Sequence, residues 1–357
     1  MTTENLDIRP KWFKNKRNLI IIAFVTVFAA VLGAKYGRDV FASNVPKDLK
    51  EEYVYIPTGA TYEQVLEIIK TKKIVHNLDS FDWLAQQLHY KQPVMRAGRY
   101  KIKKGWSNYD LVNHLKKGEQ ASVKVVLNYE RQTENIAAKA GKALECDSLE
   151  IVTLFKDSAF LAAIGYNADE LMSVFVPNTY DFLWNTDAKK FIERMVKEHD
   201  AFWQKNDRKA KAEALNLTPN QAYALASIVE KESQNQEERP RIAAVYLNRL
   251  KIGMKLQADP TCVFASKDFE TRRVVKYHLE FNSPYNTYLH EGLPPGPISI
   301  ASASSIDAVL NPEEHHYLYF CARADNSGTH AFAETLSGHN VNVNKYINFL
   351  NSKGITH

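Results

Sequence analysis

The stretch TPNQAYALASIVEKES, residues 218–233, decides how the rest of the chain is read. It begins as a helix should: Thr218 can cap, Pro219 suits the first helical position, and Gln221, three residues after the cap, completes a capping box. Ala222, Leu225, Ile228 and Val229 recur at helical spacing and form an apolar stripe. One further turn brings that stripe to Glu232, while Glu230 follows Tyr223 and Ser227 and is expected on the wetter face. A carboxyl is therefore expected in line with the core side of a helix, at its C-terminal end. Burial disfavours the charged form, and the negative end of the helix dipole pushes the same way. A carboxyl kept protonated near neutral pH is what a general acid requires. The alternative is a helix fraying into solvent with a surface Glu-Lys-Glu run, and this stretch alone leaves both open.

Composition narrows the chemistry. A chain of 357 residues is too long for one ordinary core and predicts two or three domains. Contents of 45% hydrophobic and 24% charged residues are globular values. The net charge of +5 fits an anionic surface or polymer as neighbour but is no nucleic-acid footprint. Cys146, Cys262 and Cys321 are far apart and odd in number, so they form neither a metal set nor a disulfide framework. His315, His316, His330 and His339 cluster in sequence, but their spacings match no common zinc motif. A Gly-x-Ser-x-Gly elbow and a phosphate-cradling glycine loop are both missing from the sequence. No metal and no cofactor are expected. What remains is carboxyl chemistry in a cleft.

From the N-terminus, residues 1–18 are polar and basic, with Trp12 and Phe13 among them. An uncharged apolar run follows from Leu19 to Ala34. At about 1.5 Å per residue it is slightly short of a bilayer core, but Lys35 can snorkel and Tyr36 can sit at the interface. This predicts a transmembrane anchor over 19–37, N-terminus cytoplasmic, rather than a cleaved signal peptide. Residues 38–52 read as a polar spacer, and 53–120 as a small module of strand, helix, helix, strand, helix. Residues 121–357 form the larger α+β domain, with an expected long helix from about Asp187 to Leu215. Between Asn282 and Pro297, four prolines and two glycines exclude a helix or central strand and predict a stiff loop suited to walling a cleft.

Several blocks together resemble the endolytic murein transglycosylase family of the YceG-like type. They are ASIVEKES at 226–233, AVYLNRLKIGMKLQADP at 244–260, YNTY at 285–288, GLPPGPI at 292–298, YLYF at 317–320 and His339-Asn340. The apolar run and the small module, which resembles a LysM-like domain, extend the match over most of the chain. The resemblance implies an α+β enzyme anchored in the cell membrane, its catalytic domain outside. It would cut the bond between N-acetylmuramic acid and N-acetylglucosamine within peptidoglycan strands, leaving 1,6-anhydro ends and limiting nascent strand length. It also implies glycan strands as substrate, peptidoglycan synthases as candidate neighbours, no nucleic acid, and Glu232 as the catalytic carboxyl. Gln257, Asp259, Asn286 and Tyr288 match motif positions and, with Glu230, are candidates to line the saccharide cleft; each could equally tie loops together. The segment Pro177–Tyr180 lacks the acidic residue that often follows proline there, so no helper carboxylate is assigned to it. The runner-up is a non-catalytic cell-wall binding or scaffolding protein of the same fold; a hydrolytic, lysozyme-type outcome is a third reading.

Overall fold

The computed structural model describes residues 16–271 and 273–354. The polar segment through residue 15, with Trp12 and Phe13, and Arg272 lie outside the described residues. The chain is a mostly helical α+β protein whose strands pair in twos among the described residues. It divides into two compact units, Met1–Ser122 with Leu183–Asn185, and Val123–Phe182 with Thr186–His357.

The first unit begins with α1 (Lys16–Phe41), followed by β1 (Tyr53–Ile56), α2 (Tyr62–Thr71), α3 (Leu78–Gln87), β2 (Gly98–Lys101) and α4 (Asn108–Lys117). The apolar window of α1 has mean hydropathy 2.2 and none of it is buried, so this is a helix long and apolar enough to cross a membrane and not a core helix. It runs past the expected end, and its last turns pack on the unit: Tyr36 meets Trp83 with ring centroids 5.3 Å apart, and Phe41 meets Tyr109 at 5.5 Å. The stretch 38–52, read as spacer from its polarity, contributes apolar residues to the core. Val45 and Leu49 are buried with Ile69, Phe81 and Leu111. Asn44 is buried too, because its amide donates to Asn108 Oδ1 at 2.7 Å and to the Asn77 carbonyl at 2.8 Å. β1 and β2 run antiparallel, Tyr53 opposite Lys101 and Ile56 opposite Gly98. Thr61 and Ser107 close capping boxes on α2 and α4, and Asn77 caps α3.

The second unit runs β3 (Ser122–Leu127), α5 (Thr133–Ala143), α6 (Ser148–Lys156), α7 (Ser158–Ala163), β4 (Asn178–Leu183), α8 (Ala188–Gln204), α9 (Arg208–Ala214), α10 (Pro219–Glu232), α11 (Arg239–Lys251), α12 (Asp259–Ser266), α13 (Lys276–Leu279), α14 (Ala303–Leu310), β5 (Tyr319–Ala322), β6 (His330–Ala333) and α15 (Leu336–Ser352). One core joins β3, α5, α6, β4 and α8; a second joins α10, α11 and α14. The long helix expected over 187–215 is broken. Asn206 and Asp207 sit at φ 58° and 56°, left-handed values that Asn and Asp tolerate better than other side chains, and the chain restarts as α9.

α10 organises this second core. Its capping box forms as the sequence requires, with Gln221 N donating to Thr218 Oγ1 and Thr218 N to Gln221 Oε1 at 2.9 Å. Every residue from Ala222 to Glu230 is buried, so the wetter face expected for Tyr223, Ser227 and Glu230 does not exist. Their polar atoms find partners inside instead. Tyr223 Oη donates to the Phe175 carbonyl and accepts from Ala301 N at 3.0 Å. Ser227 Oγ donates to the Ala224 carbonyl at 2.6 Å and accepts from Ile298 N at 3.0 Å. A polar face is buried without loss when each group on it is hydrogen-bonded.

Candidate active site

The two glutamates at the end of α10 have opposite surroundings. Glu230 is buried against Arg239 of α11, with guanidinium nitrogens 3.2 and 3.3 Å from its two carboxylate oxygens. The hydroxyls of Ser302 and Ser305 and the backbone N–H of Ser302 also donate to it. Burial alone would raise its pKa, but these donors and the Arg239 charge outweigh burial and hold it below the usual carboxylate range. It is a fixed anion tying α10 to α11 and to the start of α14. The expectation that Glu230 lines the saccharide cleft is thereby corrected: its acceptor sites face protein donors.

Glu232 has no cationic partner within ion-pair distance among the described residues. It accepts one hydrogen bond, from Tyr246 Oη of α11 at 2.7 Å. Tyr246 is buried and braced edge-on by Phe320, ring centroids 5.8 Å apart. Burial next to Glu232 keeps Tyr246 a phenol, its pKa raised well above the ordinary value, so it stays a donor. Arg249, one turn on, is held by the carbonyls of Leu318 at 2.7 Å and Leu256 at 2.6 Å. Burial pushes the Glu232 carboxyl up, the Tyr246 hydrogen bond and the Arg249 charge pull it down, and Asp259 adds to the rise; the outcome is about 7.

Glu232 lines a cleft of about 590 Å³, the size of a ligand site. Its walls include Asp259 at the start of α12, Phe264, Phe269 and Ile298, together with the cations Arg131, Lys231 and Arg273. A second cavity of about 280 Å³ shares Arg131, Phe264 and Phe269 with it and continues to Asp169, Tyr285 and Pro297. Tyr285 packs on Phe264, ring centroids 4.8 Å apart, so the proline-rich loop does wall part of this second cavity. The two cavities make a groove, with Glu232 and Asp259 lining one half and Glu134 and Asp169 the other.

Of the residues singled out in the sequence, Glu232 and Asp259 come together in the cleft. Tyr288 reaches the same place through its hydroxyl, which donates to Asp259 Oδ1 at 2.6 Å. Asn286 does not line the cleft: it is fully buried. Its amide donates to the carbonyls of Leu279 and Phe281 at 3.0 and 2.8 Å, and its Oδ1 accepts from Tyr288 N at 3.0 Å. It shapes the loop that presents Tyr288. Gln257 is exposed and outside the cleft wall, at φ 49°, with its backbone N–H on the Thr287 carbonyl at 3.1 Å. Of the clustered histidines, His330 is on Glu238 at 3.1 Å and His315 on the Arg241 carbonyl at 3.0 Å, both away from the cleft. Lys231 and Tyr246 lie inside blocks that carry the resemblance and Arg131 lies outside them, but the part each takes depends on how separate elements pack and is not readable from one stretch.

Residues 54–345 match the YceG-like family. A protein of Bacillus subtilis (strain 168) named endolytic murein transglycosylase is 28% identical over 336 residues, covering 89% of this chain and 91% of that one. A protein of the same name from Streptococcus pneumoniae (serotype 2, strain D39) is 27% identical over 365 residues, covering 92% of this chain, which spans 65% of the length of that relative. Among solved structures, the crystal structure of a yceG-like protein from Listeria monocytogenes aligns with a TM-score of 0.54 at 28% identity, covering 81% of this chain and 97% of that one. With most of its length matched, and the matched region enclosing the glutamate cleft, the chain belongs to the YceG-like family.

Proposed function

We propose that this chain is an endolytic murein transglycosylase, cutting the bond between N-acetylmuramic acid and N-acetylglucosamine inside peptidoglycan strands and so limiting the length of nascent strands. The observation that carries this reading is Glu232, a cleft-lining carboxyl whose burial raises its pKa to about 7. At that value it is protonated often enough to donate and basic enough to accept.

The reaction needs only one such group. Ordinary glycosidases use two carboxyls, one as acid and one as base or nucleophile. Here Glu232 protonates the leaving glycosidic oxygen as the bond to muramyl C1 breaks. As carboxylate it then takes the proton of the muramyl 6-hydroxyl while that oxygen closes on C1, giving a 1,6-anhydro end. Tyr246 orients the carboxyl through its 2.7 Å hydrogen bond. Asp259, held by Tyr288, has a negative charge that both raises the pKa of Glu232 and favours the positive charge building on the sugar ring. The groove continues past the catalytic half into the second cavity, which leaves room for sugar residues beyond the scissile bond, as an internal cut requires.

The unburied apolar α1 supports a single-pass anchor in the cell membrane, with the rest of the chain extracytoplasmic. The small first unit is assigned a LysM-like role, binding glycan or setting the distance between membrane and cleft. Incubation of the full-length protein in detergent with purified glycan strands tests the reaction type by mass spectrometry of the new ends. Anhydro ends, lighter by one water, support the transglycosylase; reducing ends would mean a hydrolase, and uncut strands a scaffold.

A further inference from the structure

Three cations stand in the cleft beside Glu232: Arg131, Lys231 and Arg273. Among the described residues none of them is paired with a carboxylate. The acids of the same wall are engaged by phenols, Glu232 by Tyr246 and Asp259 by Tyr288. Arg131 lies over the ring of Phe269, its guanidinium carbon 5.3 Å from the centroid, and belongs to both halves of the groove. Lys231 is half-buried, and burial together with the charge of Arg131 pulls its pKa down. Like charges gathered in a concave wall repel, and that cost is recovered when an anion enters. The sugar backbone of a glycan strand is neutral. The negative charge of peptidoglycan sits on muramyl substituents, as the lactyl carboxylate or the carboxylates of the peptide stem built on it.

We propose that Arg131, Lys231 and Arg273 form an anion subsite for a carboxylate carried by the muramyl residue, seating that residue with its C1 at Glu232. The inference rests on the transglycosylase reading. It makes the rim a specificity device: strands of neutral N-acetylglucosamine alone have nothing to place there.

The experiment uses full-length protein in detergent and four substrates. These are strands bearing peptide stems, strands stripped of stems so that the lactyl carboxylate is free, and each of the two after carbodiimide amidation of its carboxylates. Wild type should lose roughly tenfold in kcat/KM on amidated strands, mainly through KM, in line with loss of a charge-assisted contact. The unamidated strand that retains the rate identifies whether lactyl or stem carboxylate is bound. The double variant Arg131→Gln/Arg273→Gln, checked for an unchanged melting temperature, should lose a similar factor on native strands and nothing further on amidated ones. If wild type cuts amidated and native strands equally, or the variant loses equally on both, the subsite is wrong. Binding of the Glu232→Gln protein to the same strands by co-sedimentation separates the two claims. If wild type yields no anhydro ends, the transglycosylase reading fails. A preference for unamidated strands in binding still upholds the subsite, and indifference to amidation refutes it.

Discussion

At the scale of single residues, the end of α10 sets two glutamates to opposite tasks. Glu230 is a permanent anion because Arg239 and three donors from Ser302 and Ser305 surround it. Removing its charge by Glu230→Gln strands Arg239 in the core and should cost about 3–5 kcal/mol, measurable by urea unfolding. Because the folded-state pKa of Glu230 is depressed, its contribution is present above the ordinary carboxyl pKa and is lost as pH falls through its lower folded value. Glu232 behaves in reverse: its acid form, needed for the first step, is lost as pH rises through about 7. The rate kcat/KM should therefore fall by roughly tenfold per pH unit above that value. The Tyr246 hydrogen bond holds the carboxyl lower than burial alone would, so Tyr246→Phe should move the alkaline limb to higher pH while lowering the maximal rate. A limb that stays in place in Tyr246→Phe would detach that tyrosine from the acid.

At the scale of elements, the boundaries were more legible than the faces. Thr218, Pro219 and Gln221 mark the start of α10 because capping is a local matter. The expectation that Glu230 faces water failed because α10 is enclosed by α11, α14 and the segment around 298–302, so apolar periodicity had no solvent side to report. Helix 187–215 read as continuous because its pattern runs through, and only the left-handed pair Asn206-Asp207 stops it. A motif position leaves open whether Asn286 touches ligand or ties a loop; the structure uses its buried amide to support the loop that carries Tyr288. The proline-rich loop is placed by close approach as well as by stiffness. A Cβ at Gly296 would come within 1.9 Å of the Asp169 carbonyl oxygen, so backbone must move to admit it. Gly296→Ala should cost about 1–3 kcal/mol or more of stability, read from the urea midpoint, and should weaken activity by shifting the wall carrying Tyr285 and Pro297. An unchanged midpoint would contradict that packing.

At the scale of the whole molecule, the long apolar window of α1 is left unburied by the described protein. The helix over Leu19 to Ala34 was legible because an uninterrupted apolar run is a matter of composition and length alone. The burial of Val45 and Leu49 was not, since two apolar residues in a polar stretch give no period. Deleting residues 16–35 should leave Tyr36, Val40 and Phe41 to pack on the first unit and move the protein from the membrane pellet to the supernatant on ultracentrifugation; continued pelleting would argue against the anchor.

The central claim is that one carboxyl, Glu232, carries both proton transfers. It is tested most directly by comparing wild type with Glu232→Gln, matched for stability, on the same glycan strands and counting 1,6-anhydro-muramyl ends by mass spectrometry. The amide keeps the shape and can still accept from Tyr246, but it can neither give nor take the proton. The account predicts anhydro ends from wild type and a loss of about 100-fold to 10,000-fold in the variant. Anhydro ends formed at comparable rates by Glu232→Gln would contradict it.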